Sequence, residues 1–116
     1  MYFDIVIHGD TSSAAVAGVQ ATRMARSVVI VSPTSKLGGM TASGLGATDI
    51  PDCWVVGGIA REFYRQIYKH YLDPARWTRR DREAYFESIE HRVFTGKDDD
   101  LRMMWVFEPH VAQTVF

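Results

Sequence analysis

The stretch FDIVIHGDTSSAAVAGVQATRMARSVVIVS, residues 3–32, decides the fold. It begins and ends with short apolar runs rich in β-branched residues, at positions 3–8 and 27–31, and the Ala-rich segment 11–25 between them has the composition of a helix. Two continuous apolar runs around a helical segment are typical of parallel strands buried on both faces. The stretch therefore predicts a right-handed βαβ unit, and Gly18 within the helix indicates a close helix–strand contact.

The turn after the first strand carries part of a dinucleotide-binding fingerprint. The Rossmann fingerprint is G-x-G-x-x-G/A; Gly9 and Ala14 keep its ends, whereas Thr11 stands in the middle. Free backbone N–H groups and the helix dipole favour a phosphate at such a turn. The acid that usually binds a ribose hydroxyl at the end of the second strand is replaced by the uncharged Ser32. The pattern predicts either nucleotide binding or a βαβ unit whose small residues serve packing alone.

Composition indicates one small globular domain. The chain has 116 residues, 47% of them hydrophobic and 23% charged, with a net charge of −1. Near-zero charge gives no case for a nucleic-acid partner, and no apolar run approaches the roughly 20 residues of a membrane span, so we expect no membrane partner. One cysteine, Cys53, and no signal-peptide pattern lead us to expect a reducing, cytoplasmic compartment.

A glycine-rich loop follows the second strand. After Pro33, which stops strand pairing, residues 37–49 read LGGMTASGLGATD, with four glycines in nine residues. Glycine permits close approach of the backbone to a ligand. Leu37, Met40 and Leu45 are spaced through the glycines, whereas a solvated linker would be more polar. The loop is interpreted as facing a ligand, with a flexible surface loop as the alternative.

Five segments form a longer pattern: DIVIHGDTS at 4–12, VSP at 31–33, the 37–49 loop, GGIAREFY at 57–64 and FEPHVA at 107–112. Together they resemble the N-terminal region of a family of FAD-dependent oxidoreductases, with a poor match between about residues 73 and 102. The long 37–49 string makes the resemblance specific. It implies an α/β fold, a Rossmann-like βαβ FAD/NAD(P)-binding unit with two or three parallel strands and additional helices, apparently truncated.

The resemblance also implies FAD as the cofactor and a set of residues that bind it. The turn would hold the pyrophosphate, the end of the second strand the adenosine ribose, and the 37–49 loop would run towards the flavin ring. The implied cofactor-binding residues are Gly9, Asp10, Thr11, Ser12, Ser13, Ala14, Ser32, Pro33, Gly38, Gly39, Met40, Thr41 and Ser43.

Three positions depart from the pattern that the family usually has. Asp10 replaces a glycine of a Gly-Gly-Thr turn, Ser13 and Ala14 replace Ala-Gly, and Ser32 replaces the ribose-binding glutamate. Asp10 brings a negative charge towards a phosphate, and Ser32 removes an ionic partner of the ribose. We expect these changes to weaken FAD binding without abolishing it.

The second half of the chain predicts helices. Apolar residues recur every fourth position at Ile59, Phe63, Ile67 and Tyr71. This spacing predicts a helix at 59–71 with one buried stripe. Thr78 would cap a further helix at 79–93, and residues 101–107 form a third strand or an apolar lead-in to a helix beginning near Pro109. Trp54, Val55 and Val56 could pack beneath the glycine-rich loop.

No catalytic set is visible in the sequence. The four histidines lack metal-ligand spacing, and the three aspartates at 98–100 lack the glycine and glutamate of a calcium loop, so we predict no metal site. Cys53 has no obvious base as a partner. In flavoenzymes the isoalloxazine ring carries the redox chemistry while the protein supplies binding and electrostatics, so the resemblance does not require a catalytic triad.

The sequence thus predicts a single partial FAD-binding domain at 1–116, with a nucleotide-binding core at 1–50 and a helical extension at 51–116. Members of the family are several times longer. We therefore expect an N-terminal fragment of an oxidoreductase of an unidentified small molecule, inactive alone and dependent on a missing C-terminal portion or an oligomer. A non-catalytic nucleotide-binding module and a degenerate flavoprotein remnant are the alternatives. Asp10 and Ser32 favour the alternatives, whereas the 37–49 loop favours the oxidoreductase.

Overall fold

The computed structural model describes residues 1–50, 53–93 and 102–116. Its helices and strands follow in the order β1 (Ile5–His8), α1 (Ser12–Arg23), β2 (Val28–Val31), α2 (Met40–Ser43), α3 (Gly58–Leu72), α4 (Arg82–Val93) and α5 (Pro109–Val115), with 3₁₀ turns at Cys53–Val55 and Pro74–Arg76. β1 and β2 pair in parallel, with Ile5 opposite Val28 and His8 opposite Val31. This mixed structure with a small parallel sheet is compatible with an α/β FAD-binding fragment.

Helix α1 lies on one face of the two-stranded sheet and presents its small residues to it. Its buried residues are Ala14, Ala15, Gly18 and Ala21. A Cβ atom on Gly18 would lie 3.3 Å from Cδ1 of Ile30, so the predicted close helix–strand contact is confirmed. The prediction that both faces of the strands are buried is wrong within the described residues: Val6 is 65% exposed because only α1 covers the sheet.

The helical half packs around α3. The core contains Ala42, Phe63, Ile67, Tyr68, Tyr71, Met104, Phe107, Val111 and Ala112. The predicted stripe of α3 is confirmed at Phe63, Ile67 and Tyr71, and Tyr68 is buried beside it. Aromatic contacts tie the core together, since Phe63 stacks on Phe116 with the ring centroids 4.5 Å apart.

The apolar segment before α5 enters this core without forming a regular strand. Met103, Met104 and Trp105 are all buried. Val106 makes an isolated antiparallel bridge with Ala47, so residues 102–107 form the apolar lead-in and no third parallel strand. The backbone N–H groups of Thr48 and Phe107 donate to the carbonyls of Trp105 and Gly46, respectively, at 2.8 and 3.0 Å. The lead-in is thereby fixed to the glycine-rich loop.

Two local predictions in the second half are wrong. Helix α4 is capped by Asp81, whose Oδ1 accepts from the Ala84 N–H at 2.9 Å, and the helix therefore begins after Thr78. A carboxylate is a strong helix cap, and at this position it also meets the helix dipole. The expected packing beneath the glycine-rich loop is wrong for Trp54 and Val55, which are 70% and 75% exposed. Val56 is partly buried and packs against Met103 and Trp105.

Candidate functional site

The site is centred on the turn that joins β1 to α1. Gly9 has φ +116° there, a value that side-chain-bearing residues rarely adopt, and its N–H donates to the Val31 carbonyl at 2.8 Å. A Cβ atom at this position would meet no other atom within 4 Å. The backbone of the turn is therefore open to a ligand that approaches from outside.

Thr11 begins α1 and explains why threonine can occupy the middle of the fingerprint. Its extended backbone and its side chain form the N-cap, with Oγ1 accepting from the Ala14 N–H at 3.2 Å. The N–H groups of Ser12 and Ser13 have no hydrogen-bond acceptor within the described part of the chain. Two free donors at the positive end of a twelve-residue helix favour an anion at this point.

The glycine-rich loop packs directly against the same turn. The Gly38 N–H donates to the Asp10 carbonyl at 2.7 Å, and Gly38 pairs with Thr11 as an isolated parallel bridge. A Cβ atom on Gly39 would lie 3.1 Å from the Thr11 Cα, so the two backbones approach more closely than most side chains allow. Turn and loop, separate motifs in the sequence, thus form one continuous surface.

Two of the three departures from the family pattern contact each other. Oδ2 of Asp10 accepts from Oγ of Ser32 at 2.8 Å and from Oγ1 of Thr34 at 2.5 Å. The hydroxyl bonds, first from Thr34 and then from Ser32, lower the pKa of the Asp10 carboxyl below its ordinary value. Asp10 is therefore an ionised acceptor held at the carboxyl end of β2.

The remaining predicted site residues lie in different environments. Ser12, Ser13 and Thr41 line a groove of about 810 Å³ that continues to the start of α3 at Gly58 and Ile59. Three further predicted residues, Pro33, Met40 and Ser43, are exposed.

Sequence reasoning missed Thr34, which hydrogen-bonds Asp10, and the contribution of α3 to the groove. Thr34 was detectable in principle, because Ser and Thr two residues apart after a strand favour local hydroxyl turns. The structure contains such a turn: the Thr34 N–H donates to Ser32 Oγ at 3.0 Å. The approach of α3 to α1 had no local signal in the sequence.

Within the described ranges, no three His, Cys, Asp or Glu side chains come together as a metal-binding group. The aspartates at 98–100 lie outside those ranges, and the Cys53 side chain is likewise not described. None of the described helices has the length and apolar character needed to cross a membrane.

The fold and the turn define a class: a parallel βαβ unit with an open glycine turn, joined to a helical half. The model of the family FAD dependent oxidoreductase matches residues 4–116. The chain belongs to the FAD-dependent oxidoreductase family, whose cofactor is FAD. Comparisons with curated proteins and with solved structures gave no match.

Proposed function

We propose that this chain forms the dinucleotide-holding part of an FAD site in an oxidoreductase. The pyrophosphate lies over residues 9–14, the adenosine ribose at the end of β2, and the loop from Gly38 to Ser43 follows the cofactor towards the flavin. In this proposal residues 1–50 are a Rossmann-like binding core and 51–116 a helical extension. The observation that carries it is the pair of N–H groups of Ser12 and Ser13, which have no acceptor among the described residues, at an open glycine turn.

The chemistry of these groups fits a pyrophosphate. Its two negative charges need donors and a positive potential, and the first turn of α1 supplies both. The absence of a Cβ at Gly9 lets phosphate oxygens reach the backbone. The Gly38–Gly39 backbone lies against the same turn, so a dinucleotide has a continuous surface to follow.

Asp10 is compatible with this placement because its carboxylate is engaged elsewhere. The two hydroxyl bonds hold the Asp10 carboxylate beside Ser32 and Thr34 at the end of β2. It therefore does not turn over the N-terminus of α1, where the phosphate is placed. This arrangement supports FAD binding that is weakened and not abolished.

When bound, FAD supplies electron transfer through its isoalloxazine ring. The residues described here bind and orient its phosphate and ribose end, and none is assigned to a substrate. We therefore propose that the 116-residue chain holds the cofactor of an oxidoreductase acting on a small molecule, and that it does not turn over by itself.

The test is FAD titration of the purified chain, followed by flavin fluorescence, with the paired variants Ser13→Asp and Ser13→Asn. An acid in the first turn suits the helix dipole, so the fold is retained, but it repels a phosphate. We expect Ser13→Asp to weaken FAD binding at least about tenfold, since like charges about 5 Å apart at a protein surface interact by more than one tenfold step. Ser13→Asn, which has the same shape without the charge, stays close to the unchanged chain.

Equal FAD affinity of the two Ser13 variants would overturn the placement of the pyrophosphate. Flavin-dependent reduction of an acceptor by the chain alone would contradict the proposed lack of turnover. The second candidate, a non-catalytic nucleotide-binding module, is favoured by Asp10 and Ser32; ADP and FAD binding with equal affinity would support it. A folded chain that binds neither nucleotide would make the degenerate remnant the better description.

A further inference from the structure

We propose that Asp10 recognises the adenosine ribose of the bound nucleotide, so that this site selects a free 2′-hydroxyl against a 2′-deoxy or 2′-phosphorylated ribose. This inference rests on the proposed function and assigns the ribose end of that same site. The inference also gives a binding role to Asp10, which in the sequence is only a difference from the residue that the family usually has.

The argument begins with where a ribose acid stands in dinucleotide-binding units. It lies at the carboxyl end of the second strand, about 20 residues after the glycine turn, and accepts a hydrogen bond from the 2′-hydroxyl. Here that position holds Ser32, which has no charge. The strand pairing of His8 with Val31 places the residues after both strands at the same edge of the sheet. Asp10 on the first turn can therefore reach the end of β2.

The hydrogen bonds show that it does reach it. Ser32 Oγ and Thr34 Oγ1 both donate to the same oxygen, Oδ2 of Asp10, at 2.8 and 2.5 Å. Oδ1 takes no part in these two hydroxyl bonds, and an ionised carboxylate has about four acceptor sites, so it retains capacity for a further donor beside the bond from its own backbone N–H. The carboxylate is thus present where the ribose acid is needed, although it comes from the neighbouring turn.

The charge state of Asp10 suits a hydroxyl and opposes a phosphate. Both hydroxyl bonds stabilise the ionised form, which accepts hydrogen bonds and donates none. A ribose 2′-hydroxyl can donate to Oδ1, a 2′-deoxyribose cannot, and a 2′-phosphate would meet a like charge. The nearest cation along the chain is Lys36, whose backbone N–H donates to Thr34 Oγ1 at 3.3 Å. A preference for the 2′-phosphate would therefore mean that Lys36, and not Asp10, governs this site.

A purely structural role for Asp10 predicts something different. If the carboxylate only braces Ser32 and Thr34, its removal lowers stability and weakens all adenine nucleotides to the same extent. If it reads the ribose, its removal weakens only nucleotides that carry the 2′-hydroxyl. The dependence of affinity on the 2′ substituent is thus a readout that bracing does not change.

The experiment measures the affinity of the full 116-residue chain for ADP, 2′-deoxy-ADP and adenosine 2′,5′-bisphosphate by calorimetry. We expect ADP to bind about tenfold or more tightly than 2′-deoxy-ADP, the usual size of a hydrogen bond to a charged acceptor, and more tightly than the bisphosphate. In Asp10→Asn and Asp10→Ala the preference for ADP over 2′-deoxy-ADP falls to within about twofold. The control Thr34→Val removes one bracing hydroxyl, keeps the carboxylate and keeps the preference.

Equal binding of ADP and 2′-deoxy-ADP to the unchanged chain overturns the inference. So does a preference for ADP over 2′-deoxy-ADP that survives in both Asp10 variants. Tighter binding of adenosine 2′,5′-bisphosphate than of ADP overturns it as well. These results leave the proposed function intact if the charge at Ser13 still weakens FAD. Failure of a folded chain to bind FAD or ADP at all would overturn both. If Asp10→Ala does not fold, the nearly isosteric Asp10→Asn decides the outcome.

Discussion

Replacing Gly38 by alanine tests the contact between the glycine-rich loop and the C-terminal helix. At φ +109° the alanine backbone is strained, and its Cβ atom would lie 2.5 Å from the Phe116 ring and 2.7 Å from the Ala42 Cβ. The ring can turn aside, but the Ala42 Cβ is fixed to the backbone of α2. Backbone strain of this kind costs about 1–3 kcal/mol, and overpacking of a core costs about a further 1–3 kcal/mol.

Gly9→Ala is the matched control for this variant. Gly9 has nearly the same backbone conformation, φ +116°, but a Cβ atom there meets nothing within 4 Å. It therefore carries the strain alone, about 1–3 kcal/mol. We expect Gly38→Ala to lower the free energy of unfolding by about 1–3 kcal/mol more than Gly9→Ala, a large part of the roughly 5–15 kcal/mol that stabilises a domain.

Urea unfolding followed by tryptophan fluorescence and circular dichroism measures this difference, and thermal unfolding should show it as a melting temperature lower by roughly 4 °C for each kcal/mol. If the two variants unfold at the same urea concentration, or Gly9→Ala at the lower one, the loop does not pack against Phe116 and Ala42. The continuous surface between turn and loop would then lack its support.

Two further predictions concern the helical core. Ile67→Ala should lower the free energy of unfolding by about 2–5 kcal/mol, because Ile67 is fully buried. The control Val55→Ala should change it by less than about 0.5 kcal/mol, because Val55 is 75% exposed. Equal effects of the two variants in a urea titration would mean that Ile67 of α3 does not face the core. Burial raises the pKa of Tyr71, whose hydroxyl donates to Glu108 Oε2 at 2.8 Å. The stability that the neutral Tyr71 contributes is therefore present below about pH 10, and it is lost as the pH rises above that value. In Tyr71→Phe the free energy of unfolding should fall less steeply with rising pH. Some loss remains, because burial also raises the pKa of Tyr85. A free energy of unfolding that depends on pH between 9 and about 12 just as in the unchanged chain would contradict this.

The parts of the fold that were predictable are those written into local patterns. Two β-branched runs around an Ala-rich segment specify β1, α1 and β2, because strand and helix periods differ and small residues mark the packed face. Gly18 was correctly read as a contact position. The four-residue spacing of α3 was equally informative, since its buried stripe faces the largest cluster of apolar side chains.

The parts that were missed depend on residues distant in sequence. Thr78 and Asp81 are both plausible caps, and which of them begins α4 depends on how the helix packs. Asp10 and Ser32 could each be recognised in the sequence as candidate site residues, but their contact joins residues 22 positions apart. Strand register brings them together, and register is set by the whole βαβ unit. Judged one at a time, Asp10 and Ser32 each suggested the loss of a cofactor contact, whereas in the structure the two residues are joined by a hydrogen bond.

The packing of Phe116 beneath Gly38 also bears on the order of events during synthesis. The loop that follows β2 leaves the ribosome well before α5, yet α2 packs against α5 and a ring stacked on Phe63 supports the loop. Contacts between residues so far apart in the chain form late, because the intervening segment must first be ordered. The elements of the βαβ unit all lie within the first 31 residues, whereas the contacts of α2 with α5 form only after residues 109–116 emerge. A nascent chain would thus acquire the glycine turn between β1 and α1 early and the surface beside it last.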